Sequence, residues 1–178
     1  MADRDDIFAD LPPAGRKARI PLPPPPLPGY TADALWKLFA VKLEALNGRV
    51  LGIDELDLIL SRPYFLDHDA AAHLGRAPGG VPIWEAEVGV TSADLAIAET
   101  GTVLLSTGPG KPRLASLTPV MHVVIIPREK IVATLAEAFS RLSDRTTVLI
   151  TGPSRTADIE GVLVRGVHGP REIVVVPV

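Results

Sequence analysis

The chain has 178 residues and a formal net charge of −3, from 18 basic and 21 acidic residues. Its hydrophobic fraction of 47% is enough for one core, so one domain and a tail are expected. This balanced charge provides no long-range attraction to nucleic acid or to an anionic membrane. The N-terminus lacks the apolar segment of a signal peptide, and no apolar run reaches membrane-spanning length, so we expect a cytoplasmic protein.

Cysteine is absent from the sequence. This excludes disulfides, thiolate nucleophiles and any cysteine-ligated zinc site or iron–sulfur cluster in this chain. A redox role would therefore need a diffusible cofactor, of unknown identity, or a partner chain. His68 and His73 are five residues apart, which is not the four-residue spacing of H-E-x-x-H, and no metal site is predicted.

Residues 1–30 form a proline-rich arm, with six prolines between Pro21 and Gly29. Each proline fixes φ and removes a backbone donor, so the arm is predicted to be polyproline II or disordered. A spacer is the favoured interpretation, and docking in an aromatic groove of a partner is the alternative. Residues 31–178 are predicted to form a single α/β domain.

Two helices and a strand are predicted in the first half of this domain. Apolar residues recur at helical spacing over Thr31–Asn47, followed by Gly48 as a stop signal. A short strand is expected over Arg49–Ile53 and a short helix over Asp54–Leu60.

A strand over Trp84–Val90 and a hairpin are predicted next. Thr91–Asp94 has the pattern of a capping box and should open a short turn. The segments Ala96–Ala98 and Thr102–Ser106 then flank Glu99-Thr100-Gly101, which is typical of a hairpin tip.

The remaining elements alternate between strand and helix. Apolar, β-branched runs predict strands at Met121–Ile126, Thr146–Ile150 and Glu172–Val176, and helices are predicted at Arg128–Leu142 and Thr156–Arg165. This order indicates an open, Rossmann-like, mostly parallel sheet with flanking helices. Ligands of such sheets bind beyond the carboxyl ends of the strands.

The richest candidate site begins at Thr151, after a predicted strand and at the predicted start of a helix. Unpaired N–H groups at a helix N-terminus favour an anion, and side-chain donors here would assist. The alternative is that Ser154 or Thr156 merely caps the helix, while Asp158 and Glu160 complement its dipole. The ligand-binding candidates are Thr100, Gly152, Ser154, Arg155 and Thr156.

Glu99 and His168 are the remaining candidates for chemistry. Glu99 at the hairpin tip could act as an acid, base or nucleophile, or could simply bond to local N–H groups. His168 lies in a tight turn, and in a simple βαβ unit that turn is at the opposite edge of the sheet from the site. A catalytic His168 would then require a neighbouring subunit, so a homo-oligomer is left open.

Several familiar motifs are incomplete. The sequence has no G-x-G-x-x-G fingerprint, and the loop Gly108–Arg113 lacks the first glycine and the Ser/Thr of a P-loop. Gly152–Thr156 lacks the closing glycine of a hydrolase nucleophile elbow.

Three longer patterns carry a family resemblance. Thr91–Thr102, Thr151–Glu160 and Gly166–Pro170 occur in order and resemble the signatures of the lactate-utilisation (LUD) domain of the lactate utilisation protein C family. The resemblance covers residues 80–178. It implies a sheet like that of sugar-phosphate isomerases, CoA transferases and 5-formyltetrahydrofolate cyclo-ligase.

The resemblance also implies a role in oxidising lactate to pyruvate together with two iron–sulfur proteins. The absence of cysteine agrees with a cluster-free subunit, and the turn Thr151–Thr156 could hold a small anionic metabolite. The chain departs from the family in being short, with a proline-rich arm in place of a longer helical region. Two alternatives are a stand-alone enzyme of CoA-transferase or cyclo-ligase type that uses a Glu carboxylate, and an interaction module. By their positions in the shared motifs, the catalytic candidates are Glu99, Asp158, Glu160 and His168.

Overall fold

The computed structural model describes residues 29–142, 145–157 and 163–178. Its main sheet has six strands in the order β1-β12-β7-β4-β2-β3, all parallel to their neighbours except β3. This confirms the expected mostly parallel α/β architecture. The strands are β1 (Arg49–Val50), β2 (Tyr64–Leu66), β3 (Gly79–Gly80), β4 (Val88–Ser92), β7 (Met121–Ile126) and β12 (Glu172–Pro177).

A second sheet of four strands lies beside the main one, in the order β8-β5-β6-β9. A separate two-stranded hairpin follows β9. The strands of the second sheet are β5 (Leu95–Ile97), β6 (Thr102–Ser106), β8 (Ile131–Val132) and β9 (Thr147–Ile150). The hairpin strands are β10 (Arg155–Ala157) and β11 (Leu163–Arg165).

Short helices cover both faces of the main sheet. The helices are α1 (Ala32–Ala45), α2 (Leu56–Ile59), α3 (His68–Leu74) and α4 (Leu135–Arg141). Three 3₁₀ turns are Ile53–Glu55, Arg113–Ser116 and Arg128–Lys130. None of the helices in the described ranges has both the length and the apolar character needed to cross a membrane.

The core has two main layers, one on each face of the main sheet. On one face, α1 and the second sheet pack against alternate residues of β7 and β12, including Val124 and Val175. On the opposite face, α2 and α3 cover the intervening residues, including Val123 and Val174. The strands are apolar on both faces because each face is covered.

Helix α1 shows how the sequence specifies its own boundaries. The Thr31 hydroxyl accepts a hydrogen bond from the Ala34 N–H at 3.2 Å, which caps the first turn. Phe39 and Leu43 are buried one turn apart against the sheet. Asn47 then adopts a φ of 65°, a left-handed conformation that ends the helix. The first predicted helix is therefore confirmed, with small differences at its ends.

The predicted hairpin around Glu99 is also confirmed, since β5 and β6 pair antiparallel across that turn. The strands predicted at Met121–Ile126 and Glu172–Val176 are confirmed as β7 and β12, which are parallel neighbours. The strand at Trp84–Val90 is displaced toward the C-terminus, and Trp84 itself lies in an exposed turn.

The capping box predicted at Thr91–Asp94 is wrong. Thr91 and Ser92 belong to β4, and the chain passes from the main sheet into β5 without a helical turn. The Asp94 carboxylate accepts instead from the Ser106 N–H on β6 and so links the two sheets.

The helix predicted over Arg128–Leu142 is only half present. Its first part is a 3₁₀ turn followed by β8, because Ile131 and Val132 pair with β5. Helix α4 starts later, where the Thr134 hydroxyl accepts from the Glu137 N–H.

The strand predicted at Thr146–Ile150 is confirmed as β9, but its expected place in the parallel sheet and the helix predicted after it are wrong. Thr147–Ile150 does not join the parallel sheet but pairs antiparallel with β6. The helix predicted over Thr156–Arg165 is replaced, where described, by the antiparallel strands β10 and β11. β-Branched residues such as Thr156 and Val164 favour strands, and a helix of ten residues has little intrinsic stability.

We expect Gly89→Ala to lower the free energy of unfolding by about 1–3 kcal/mol. Gly89 is in β4, and a methyl group added there would overlap the backbone carbonyl of Ala115 in the Arg113–Ser116 turn. Gly52→Ala is the matched control, because its methyl group would meet nothing closer than 3.7 Å. Urea unfolding of both variants provides the measurement, and equal stabilities would contradict this packing.

Candidate functional site

Two polar side chains lie inside the main sheet where neighbouring positions are apolar. His122 is the second residue of β7 and is 1% exposed, and Thr91 is near the end of β4. The Thr91 Oγ1 and His122 Nε2 atoms are 2.9 Å apart, a hydrogen bond between adjacent strands. Both residues lie on the sheet face that carries Val124, toward the second sheet.

A cavity of about 310 Å³ opens beside His122. The main sheet forms one wall, with His122 and Ile173, and strand β9 with its following turn forms the opposite wall. Apolar side chains of β9 line much of the cavity. Its polar lining residues are Ser116, His122, Thr151, Ser154 and His168.

The turns that follow β9 and β11 are docked on each other, which brings His168 to the cavity. The Ser154 N–H donates to the Pro170 carbonyl at 2.9 Å, and the Gly166 N–H donates to the Ser154 carbonyl at 3.0 Å. A methyl group at Gly169 would lie 3.2 Å from the Ser154 Cβ, so little space separates the two turns. The expectation that His168 lies at the opposite edge of the sheet is therefore wrong, since it assumed a βαβ unit.

Gly152 holds the sharp turn after β9 with a φ of 87°, which favours glycine. It packs against Leu46 at the end of α1. Arg155 and Thr156 are in β10, so neither lies at a helix N-terminus. The Arg155 guanidinium donates to the Leu46 carbonyl. The predicted anion site assumed a helix N-terminus at these residues, and that assumption is wrong. Ser154 nevertheless lines the cavity.

Glu99 and Thr100 lie at the β5–β6 hairpin tip and do not line the cavity. The Glu99 Oε1 atom accepts from the Leu135 N–H at 2.6 Å, at the start of α4. Thr100 donates to Thr102, which is also bonded to Thr151 at 2.8 Å, so this hydroxyl chain ends at the cavity wall. The other two catalytic candidates, Asp158 and Glu160, lie outside the described residues.

A charged cluster around the buried Lys111 lies beyond the carboxyl ends of β2 and β4. Lys111 is 8% exposed, and its Nζ atom lies 3.0 Å from Asp94 and 3.1 Å from Asp69. Burial alone would lower the pKa of Lys111, but the bonds and charges of these carboxylates outweigh it and raise that pKa. Lys111 is therefore held as a cation.

Asp67 is the fourth charged member of this cluster and is 1% exposed. Its carboxylate accepts from the Ala70 N–H at 2.7 Å and from the Ser92 N–H at 3.3 Å. Desolvation by burial raises the pKa of Asp67, against the opposing effect of these donors and of Lys111. Asp67 thus caps α3 and also fixes the end of β4.

The cavity has no Asp, Glu, Lys or Arg side chain among its described lining residues. Burial lowers the pKa of His122 to about 3, so its imidazole is neutral at physiological pH. Within the described ranges, no group of three or more His, Cys, Asp or Glu side chains is placed to hold a metal ion. The arrangement therefore offers hydroxyl and imidazole groups around an apolar space.

Sequence reasoning missed His122, Thr91, Asp67 and Lys111. Of these, His122 has a usable signal, because it is the one polar residue in the apolar strand Met121–Ile126. A polar side chain in a strand covered on both faces must be hydrogen-bonded, and such positions often carry function. Lys111 could not be recognised, because its burial depends on two carboxylates distant in sequence.

Glu99→Ala should lower the free energy of unfolding by about 0.5–2 kcal/mol, because α4 loses the acceptor for its first N–H group. Glu99→Gln should recover much of this, since an amide oxygen can still accept. Thermal or urea unfolding measures both, with exposed Glu85→Ala as the control. An unchanged stability for Glu99→Ala would show that the carboxylate is not a cap.

His122 should make the fold less stable as the pH falls from about 6.5 to about 3. In this window the unfolded chain binds a proton that the folded His122 does not, which costs up to about 1.4 kcal/mol per pH unit. Replacing His122 by Gln should therefore flatten the fall of stability with pH, whereas Thr118→Val, at an exposed position without a titratable group, should not. Urea unfolding at several pH values tests this, and equal slopes in wild type and His122→Gln would contradict a buried neutral imidazole.

Comparison with known proteins places these features in a family. The family model described as the LUD domain matches residues 83–178, which include the whole described cavity lining. The lactate utilization protein C of Halalkalibacterium halodurans is 40% identical over 95 aligned residues, covering 48% of this chain and 41% of that protein. The protein of the same name from Macrococcus caseolyticus is 43% identical over 94 residues, with the same coverage.

The matched segment thus spans less than half the length of these curated relatives. A crystal structure of a DUF162 family protein from Deinococcus radiodurans has a TM-score of 0.58 to this chain at 20% identity. The alignment covers 84% of this chain and 99% of that one, which shows a shared fold. Since the family model matches more than half of the sequence, the chain belongs to the LUD domain family, the family of these lactate utilisation C proteins.

Proposed function

We propose that this chain takes part in lactate utilisation in the cytoplasm, as a subunit that works beside iron–sulfur proteins and holds no cluster itself. The names of its relatives support a role in lactate utilisation. The absence of cysteine supports a subunit that holds no cluster itself. With no cysteine, the chain offers no thiolate ligand for a cluster. Electrons from an oxidation would therefore pass to a partner or to a diffusible acceptor.

The observation that carries this proposal is the cavity between His122 and the Ser154 turn. Its volume of about 310 Å³ is at the lower end of the range for small-molecule sites, which suits a small metabolite. A few polar groups in an apolar lining are typical of such sites. The Ser154 hydroxyl and the His168 ring can donate hydrogen bonds to a carboxylate, and His122 lies on the opposite wall.

The alternative function, a stand-alone enzyme with a Glu nucleophile, has no comparable support among the described residues. The Glu99 carboxylate is bonded to the Leu135 N–H and does not line the cavity. A nucleophilic Glu would need one free oxygen facing a ligand. Glu160 lies outside the described residues and adds no observation to this alternative.

Purified chain should restore L-lactate-dependent acceptor reduction to an extract of cells that lack it. The double variant Ser154→Ala with His168→Ala should restore about tenfold less activity, since two polar contacts to the metabolite are lost. His73→Ala is the matched control, a histidine exposed on α3 and remote from the cavity.

Two results would count against the proposal. No restoration by wild-type chain, in an extract shown to contain the iron–sulfur partners, would remove the role in lactate utilisation. If the double variant folds and has wild-type activity, the role in lactate utilisation would stand but the cavity would not be its site.

A further inference from the structure

The β10–β11 hairpin lacks the support that the other strands receive. Among the described strands, it joins neither sheet, and its two strands pair only with each other. All three residues of β11 are exposed, including Leu163 at 55% and Val164 at 40%. A two-stranded hairpin on its own is marginally stable in water. A further contact would therefore stabilise this hairpin.

One face of the hairpin combines positive charge with an apolar surface. Arg155 lies directly opposite Arg165, and Ala157 lies directly opposite Leu163. These four side chains share one face, because side chains alternate along each strand. Like charges at opposite positions destabilise a pair of strands. The Arg155 guanidinium donates to the Leu46 carbonyl, and within the described ranges neither arginine forms an ion pair with a carboxylate.

A segment near the start of the sequence has the complementary character. Residues 3–11 contain four aspartates and one arginine, a net side-chain charge of −3, together with apolar Ile7, Phe8 and Leu11. They belong to the proline-rich arm, outside the described residues. By contrast, the described residues between 155 and 171 carry three arginines and no carboxylate, since positions 158 and 160 lie outside the described ranges.

The chain between this segment and the domain is long enough to reach the hairpin. The described residues begin at Gly29, just before α1, whereas Arg155 contacts Leu46 just after the other end of α1. Helix α1 has 14 residues and is therefore about 21 Å long. The 17 residues 12–28 include eight prolines, and an extended proline-rich chain of that length spans about 50 Å.

We propose that the segment Asp3–Leu11 docks, within the same molecule, on the face of the hairpin that carries Arg155 and Arg165. Its aspartates pair with the two guanidinium groups, and its apolar side chains cover Leu163. The two strands adjoin the turns that line the cavity beside His122. Docking therefore connects the proline-rich arm to the walls of the candidate site, a role distinct from that of a spacer.

Paramagnetic labelling of the full chain tests this contact by NMR. The sequence has no cysteine, so Ala9→Cys introduces a single thiol for a nitroxide label. The label should broaden the amide signals of β10 and β11. The signals of β3, at the far edge of the main sheet, are the internal control and should remain sharp.

Charge reversal on either side tests the pairing of aspartate with arginine. Arg165→Glu should lower the docked population about fivefold, and so should Asp5→Lys with Asp6→Lys, because each turns attraction into repulsion. The combined variant should lose less than the two separate losses together, because the exchanged charges attract again. Arg113→Glu is the matched control, an exposed arginine in the turn that packs on β4, and should leave the broadening unchanged.

Three results would overturn the inference. The first is sharp β10 and β11 signals in the labelled chain. The second is broadening in a mixture of nitroxide-labelled chain without ¹⁵N and ¹⁵N-labelled chain without nitroxide, which would assign the contact to a second copy. The third is equal broadening with and without Arg165→Glu, which would remove the arginine pair as the docking surface. None of these results depends on the outcome of the add-back assay.

Discussion

The missing side chain of Gly89 is the constraint on which the site depends. Gly89 lies on β4 opposite His122 of β7, in the middle of the main sheet. The backbone of the Arg113–Ser116 turn occupies the space that a side chain would fill. This close approach places Ser116 between the cavity beside His122 and a small cavity of about 10 Å³ that is lined by Asp67, Thr91 and Lys111. A larger residue at position 89 would displace the turn and join or close both spaces.

The position of the Arg113–Ser116 turn also affects the charged groups beside the site. The turn follows Lys111, whose side chain is drawn inward to Asp94 and Asp69. Lys111 also forms part of the boundary of the small cavity, together with Asp67. Thr91 thus contacts the space lined by Asp67 and Lys111, and its partner His122 lines the ligand cavity. This separation keeps the buried charges compensated while the ligand meets hydroxyl and imidazole groups.

The parts of the fold that follow from local sequence could be predicted, and those that depend on partner strands could not. Helix α1 and strand β7 have strong periodic or continuous apolar patterns, and both were identified. The segment Thr156–Arg165 has a capping pattern at its start, yet it pairs as a hairpin where it is described. That pairing depends on tertiary contacts, about which the local sequence pattern carries no information.

The dependence on tertiary contacts also explains why the candidate site could be predicted only in part. The sequence indicates Ser154 and His168 as separate candidates, but their proximity depends on two docked turns and on the pairing of β10 with β11. Glu99 was identified by its position at a hairpin tip, and its bond to the start of α4 depends on a residue 36 positions away. Asp67 is a typical helix cap, but its bond to the Ser92 N–H depends on a strand 25 residues away, and Lys111 is held by two carboxylates that are distant in sequence.

A crystal structure of the chain soaked with L-lactate would test the central claim most directly. The account predicts lactate in the cavity beside His122. Its carboxylate would lie toward Ser154 and His168. A cavity that is filled by protein side chains, or lactate bound at another surface, would contradict the account.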